Sequence, residues 1–401
     1  MRPSKPHLRG LLAMAFAHGA SDFYSGMVPL LIFTIVSAHR LSPLYQGAIG
    51  FLWYLTSSVV QPFFGAYSDR RGRWWFLPAS VGITAIAVAL IGLSSGIGVL
   101  AMLVVLGGIG SAVMHPEAGK YAALLSGSRK SGGISIFQIG GAIGYAFGPV
   151  AIARLLQSYG AQGSVWMIVP GIGAVIALFA LMRGIDAHAQ RAQAEHHASI
   201  AAGSSNVDRT GVALLVAGTT LKYLVGASFM TYLPNLVVAR GGSIGEAGVI
   251  VTLFLAVGVI GLYLGGVLGD RYGALPIAVA SLFATAPVLY GFFAFGGTFG
   301  LLFLLLAGVL LNVQSAPSVA IVQRMLPRNL GMALGLMNGV AFGAGSALVT
   351  AVGFGVARIG AAGALFEVSA LPVACAAAFW LAGRRLGDSR YASASSSAIA
   401  S

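Results

Sequence analysis

Long apolar runs separated by short polar breaks dominate the chain. Runs such as Ile83–Leu93 and Leu301–Leu311 are continuous. A membrane-spanning barrel strand would instead alternate apolar and polar residues. A helix needs about 20 apolar residues to cross a bilayer. On that measure the pattern predicts twelve helical spans, at 11–38, 45–67, 74–95, 97–125, 132–158 and 164–184, then 211–239, 246–268, 274–295, 298–326, 330–357 and 361–383. The expected class is an all-α membrane protein made of two six-helix halves, 1–185 and 211–385. Between them, 186–210 is polar, rich in Ala, Ser, His and Gln, and reads as a cytoplasmic linker. The Ser/Ala-rich end, 386–401, reads as a disordered cytoplasmic tail.

Composition agrees about the solvent. Apolar residues make up 57% of the chain and charged residues 8%, and mean hydropathy is +0.88. A soluble domain carries about a quarter charged residues. The net charge of +13 could suggest nucleic acid, but its placement does not. With the N-terminus inside, inner segments hold 17 of the 23 Lys and Arg, and outer loops keep only Arg40, Arg240 and Arg358. This positive-inside bias predicts that both termini are cytoplasmic. Cys375 is the only cysteine, which excludes an intrachain disulfide or a cysteine-rich metal site. The basic start Met1–Gly10 leads into an apolar stretch too long, and too interrupted by His18 and Asp22, for a signal peptide, so a retained first helix is expected.

The two halves repeat each other. Gly65-Ala-Tyr-Ser-Asp69-Arg70-Arg71-Gly72 returns 201 residues later as Gly266-Val-Leu-Gly-Asp270-Arg271-Tyr272-Gly273. Pro116 and Pro317 share that offset, and Gly140/Gly144 correspond to Gly339/Gly343 at 199. Parallel duplication of a six-helix unit leaves such a period behind.

The segment Gly65–Leu77, with Asp69, Arg70, Gly72 and Arg73 in place, resembles the signature loop of the major facilitator superfamily. That resemblance implies the major facilitator fold. It also implies that Gly65, Asp69, Arg70, Gly72, Arg73 and, in the second copy, Asp270 and Arg271 form a cytoplasmic gate. A carboxylate such as Asp69 can sit at the positive end of a neighbouring helix. Ala274 stands in the second copy where the first has Arg73, so an asymmetric gate is expected. In span five, Gly140, Gly144 and Gly148, followed by Pro149, place small residues on one helix face for close helix packing. The Gly-x-x-x-Gly-Pro ending is similar to the span-five motif of proton-driven antiporters, although Val150-Ala151 stand where that motif has a further glycine pair. Gly107–Glu117 with its His115-Pro116-Glu117, the later Phe137-Gln138-x-Gly140-Gly141, and His18-x-x-x-Asp22 together resemble the fosmidomycin resistance branch of drug efflux proteins. That branch implies export of a small anionic compound in exchange for protons.

Candidate chemistry follows from charges inside the spans. Of ten acidic residues, only Asp22 and Glu117 are expected there; intramembrane carboxylates nearly always face a cavity or a partner. His18 and Asp22 share a helix face, about 10 and 16 Å from the inner end at 1.5 Å per residue, and His115 and Glu117 lie at matching depth. These four are the candidates for proton coupling. Lys222 is the deep cation without a local acid. With Arg154, Gln138, Tyr24, Tyr223, Asn312, Gln314 and Asn338 it forms the candidate substrate-binding set. For Arg154 snorkelling to the interface is an equal reading, and for Lys120 an i, i+3 pair with Glu117.

No cofactor is expected, and no metal, because His115-Pro-Glu lacks the spacing of a ligand set. There is no P-loop and no nucleophile–base pattern, so an enzyme is not expected. The expected function is secondary active transport by alternating access: proton-coupled efflux of a small, anionic compound or drug across the inner membrane, by a monomer with no nucleic-acid partner. Two alternatives stay open, a proton symporter importing an organic anion or sugar, and a non-transporting membrane sensor with this fold.

Overall fold

The computed structural model describes residues 5–40, 43–71, 73–201, 208–242 and 244–398. Its α-helices, in order, are α1 (Leu8–Ala38), α2 (Pro43–Tyr54), α3 (Gln61–Arg71), α4 (Phe76–Leu90), α5 (Ile97–Leu125), α6 (Lys130–Tyr159), α7 (Ile168–Ala201), α8 (Arg209–Ala239), α9 (Ile244–Tyr272), α10 (Ala274–Ala294), α11 (Gly297–Val313), α12 (Ser315–Met325), α13 (Leu330–Leu334), α14 (Ala341–Val368) and α15 (Leu371–Ala398). Among the described residues, ten stretches are long and apolar enough to cross a membrane. The tenth, Leu330–Arg385, holds two expected spans, and Gly360 at φ 73° breaks the helical path between them. The second expected span runs as α2, a π-helical turn over Leu55–Val59, and α3. Counting these two brings the stretches to the twelve expected.

The chain divides into two compact units, Met1–Ser204 with Pro327–Val340, and Ser205–Leu326 with Ala341–Ser401. The segment 327–340, expected within the C-terminal half, is thus grouped with the first unit.

In the first unit α1 packs most extensively on α6, and the glycine face of α6 explains why. A Cβ at Gly140 would run into the backbone of Ala15, one at Gly144 into Gly19, and one at Gly148 into Phe23. The four-residue step of α6 therefore matches a four-residue step of α1, with backbone against backbone. Below this seam, Met27, Leu31, Ile35, Trp53, Val88, Leu100 and Val104 form an apolar core. The π turn is satisfied locally: Thr56 Oγ1 donates to the Leu52 carbonyl (2.8 Å) and Gln61 Nε2 to the Ser57 carbonyl (2.7 Å).

The second unit closes around Phe229, Leu233, Phe254, Leu304, Leu311 and Leu365. In both units the exposed side chains include large apolar ones, among them Phe51, Phe147 and Ile176 in the first and Phe283, Phe299 and Phe354 in the second. Such surfaces suit hydrocarbon. The repeat also reaches the backbone. Gly160 at φ 64° and Gly360 at φ 73° each turn the chain in the left-handed region, 200 residues apart.

Helix extends into both polar segments. The presumed linker is helical to Ala201, because α7 continues through it, and residues 202–207 lie outside the described set. Likewise α15 continues to Ala398, through most of the tail expected to be disordered. The first segment is rich in alanine, the best helix former, with Gln, Glu and Arg close behind, so a helix already nucleated in a span can propagate through it.

Candidate functional site

Three candidate residues meet within the first unit. His18 and Asp22 stand one turn apart on α1, and His115 reaches them from α5. Asp22 Oδ2 lies 3.2 Å from His18 Nε2, and Asp22 Oδ1 lies 3.2 Å from His115 Nε2. The opposite ring nitrogens are held by the main chain: His18 Nδ1–H donates to the Phe137 carbonyl (2.9 Å), and His115 Nδ1–H to the Ser111 carbonyl (2.8 Å). A carbonyl only accepts, so both Nδ1 atoms carry hydrogen and both Nε2 atoms turn to the carboxylate. The side chains of His18, His115 and Asp22 are 8%, 12% and 17% exposed, so the group is enclosed but reachable.

The motif on α6 builds this seat. Phe137 stacks on the His18 ring (centroids 4.2 Å, 22°), and its carbonyl accepts the hydrogen bond from that ring's Nδ1–H. Gly141 leaves the space that the same ring fills, and Gly140 lets α1 approach. Gln138, next to Phe137, is buried, and its Oε1 has no hydrogen-bond partner among the described residues.

Glu117 is not part of this group, contrary to the depth-matched arrangement expected from the sequence. Residues two apart on a helix point about 200° from each other, so His115 and Glu117 face opposite ways. Glu117 is fully buried beside α3. Its Oε2 accepts from the Ser68 hydroxyl and from Lys120 Nζ (3.1 Å). Lys120 also donates to the Ser68 carbonyl (3.0 Å) and to Ser68 Oγ (2.7 Å). Ser68, which the sequence did not single out, thus joins α3 to α5. The i, i+3 pairing of Lys120 with Glu117 is present.

The neighbouring residue, Asp69, takes the N-terminus of α13: Oδ1 accepts from Gly331 N–H (3.0 Å) and Oδ2 from Met332 N–H (3.2 Å). A Cβ on Gly65 would lie 2.6 Å from the Gly331 carbonyl, so only glycine fits one turn earlier. Arg70 and Arg73 are exposed, and Gly72 lies outside the described residues. In the second copy Asp270 is exposed, and Arg271 lies over the Tyr272 ring at 5.1 Å.

In the second unit, buried Lys222 of α8 gathers several of the expected residues. Its Nζ lies 3.4 Å from Asn312 Oδ1, 3.3 Å from Ser315 Oγ and 4.4 Å from the centre of the Tyr223 ring. No carboxylate pairs with it among the described residues. Ser315 escaped the sequence reading. Gln314 is buried, with Oε1 lacking a hydrogen-bond partner among the described residues. Arg154 is exposed on α6 and Asn338 is half-buried in the π turn Gly335–Val340. Tyr24 needs correction as a substrate contact. It is 1% exposed within the apolar core, and its hydroxyl donates to the Met167 carbonyl (2.7 Å). A further correction concerns Glu367, which lies in α14 within the twelfth span and is exposed, so Asp22 and Glu117 are not the only acids on spans.

A duplicated set of apolar helices, with a glycine-seated carboxylate at the end of α3 and buried charges on helices of both units, defines a polytopic transport fold. The chain belongs to the Major Facilitator Superfamily, whose family model matches residues 11–350, and it is a multi-pass membrane transporter of small molecules and not an enzyme. It is 28% identical to an uncharacterized MFS-type transporter, YfnC, of Bacillus subtilis (strain 168), over 92% of each chain. It is also 28% identical to the fosmidomycin resistance protein of Escherichia coli (strain K12), over 83% of this chain and 82% of that one. Among solved structures, the Escherichia coli fucose:proton symporter FucP shares the fold with a TM-score of 0.69 at 14% identity, over 94% of this chain and 97% of that one.

Proposed function

We infer that the chain is a proton-coupled exporter of a small anionic compound, working by alternating access in the bacterial inner membrane as a monomer with both termini in the cytoplasm. The observation that carries this reading is the His18–Asp22–His115 group. It is an enclosed carboxylate between two imidazoles whose outer nitrogens are fixed. A proton held there changes the hydrogen bonding of α1 to α5. Such a change couples only if it favours one conformer over the other. Lys222, with Tyr223, Asn312 and Ser315, offers a buried cation that an anionic substrate can pair with. Asp69 and its neighbours serve as the inner gate. The name of the Escherichia coli relative supports export of a drug-like anion.

The test uses purified protein in vesicles with an imposed pH gradient and an anionic phosphonate as substrate. Wild type moves the phosphonate against its gradient as protons run down theirs. Asp22→Asn loses that accumulation but keeps equilibrium exchange. Accumulation undiminished in Asp22→Asn places coupling elsewhere. Phosphonate and protons moving in the same direction would favour symport.

A further inference from the structure

Two imidazoles and a carboxylate held in this way are also a set of metal ligands. Each Nδ1–H is committed to a main-chain carbonyl, so each Nε2 is presented to the same point. Metal-bound histidines are oriented in this manner, the second ring nitrogen donating to a carbonyl or carboxylate. Both Asp22–histidine separations are 3.2 Å, and one ligand atom from each of the three residues lies within 4.8 Å of the others. Bonds of roughly 2.0–2.2 Å place neighbouring ligands of a tetrahedral ion about 3.3 Å apart. Each histidine has that spacing from its own carboxylate oxygen, His18 from Oδ2 and His115 from Oδ1, and small side-chain rotations bring one oxygen and both Nε2 atoms around a single ion. Partial exposure of Asp22 and His115 leaves the fourth position open to water. The sequence does not reveal the set, because its members come from helices almost a hundred residues apart.

We propose that His18, Asp22 and His115 bind one divalent transition-metal ion. A donor set of two imidazoles, one carboxylate and an open position suits zinc, iron or nickel better than magnesium or calcium. The ion and a proton need the same lone pairs, so each excludes the other. The proposal does not rest on the export reading, since it concerns binding to the resting protein.

Untagged full-length protein in detergent, stripped with a chelator, is titrated with Zn²⁺ by calorimetry and with Co²⁺ by visible absorption. One ion per chain is expected, with affinity at least tenfold weaker in His18→Ala, His115→Ala and Asp22→Asn. The double variant His7→Ala/His188→Ala, which removes a histidine pair with ring centres 4.5 Å apart elsewhere in the unit, keeps wild-type affinity. Should the triad variants misfold, X-ray absorption on zinc-loaded wild type decides alone, by showing two imidazoles and oxygen at about 2.0–2.1 Å. No stoichiometric binding, loss only in the His7/His188 variant, or a coordination shell without two imidazoles overturns the proposal. Transport is not measured, so failure here and failure of the export reading are separable.

Discussion

Replacing Asp69 by asparagine leaves the shape of the α3 end intact but removes its charge and one of its two acceptor roles. In the wild type both carboxylate oxygens are used, on Gly331 N–H at 3.0 Å and on Met332 N–H at 3.2 Å. Hydrogen bonds to a charged group contribute about 1.5–3 kcal/mol each. Losing one therefore shifts the docking of α13 by roughly 10- to 150-fold, at 1.4 kcal/mol per factor of ten. Amide hydrogen exchange at Gly331 and Met332 reads that equilibrium directly. Their protection should fall by one to two orders of magnitude in Asp69→Asn and stay at the wild-type level in Asp270→Asn, whose carboxylate is exposed. Transport at matched expression should follow the same order, with Asp69→Asn the more impaired. Unchanged protection at both amides in Asp69→Asn would refute the reasoning, because the carboxylate would then not be what holds these two amides in place.

Other expectations follow from the packing and the charges. Gly140→Ala places a Cβ on the Ala15 backbone and should lower the thermal midpoint through about 1–3 kcal/mol of overpacking. Gly173→Ala, in open space on α7, should leave the midpoint unchanged or raise it. Asp208 caps α8 by accepting from Gly211 N–H (3.0 Å); that bond and then Arg385 hold its carboxyl below the usual range. A depressed carboxyl stabilises above its unfolded value near 3.9 and loses that contribution as pH falls through the folded value. Exchange at Gly211, corrected for its intrinsic pH dependence, should accelerate in acid in wild type and be fast at all pH values in Asp208→Ala; a pH-independent wild type would contradict the cap. Lys222→Ala should weaken binding of an anionic phosphonate, with Lys222→Arg retaining part of it, and tight binding of a lipophilic cation alone would move the reading to cationic drug efflux.

How much was legible depended on the kind of information each feature needed. Span lengths and the 201-residue repeat are one-dimensional, and the helices follow them. His18 and Asp22 were readable as a pair, since four residues is one helix turn. Depth along a helix, however, says nothing about direction around it, so Glu117 was expected beside His115 although two residues turn it to the other face. Tyr24 failed for the same reason: the chain shows a tyrosine at a useful depth but not the core that encloses it. Ser68 and Ser315 carry no sequence signal beyond standing near more conspicuous residues. The π turn at Gly335–Val340 is equally silent, with no proline in it, whereas the one at Leu55–Val59 precedes Pro62, whose ring cannot donate to the Ser58 carbonyl.

Pro116 stands between His115 and Glu117, and its ring cannot donate to the Ala112 carbonyl one turn earlier. The two neighbours of this weakened point are tied to different helices, His115 to α1 through Asp22 and Glu117 to α3 through Ser68. Anything that pulls His115 toward Asp22 or releases it must either carry Glu117 along or bend α5 at the proline. In the first case strain arrives at Ser68, one residue from the carboxylate that holds Gly331 and Met332. In the second it is absorbed in the helix and goes no further. Pro116→Ala, by stiffening the joint, would force every displacement of His115 through to α3, turning a hinge into a rigid lever.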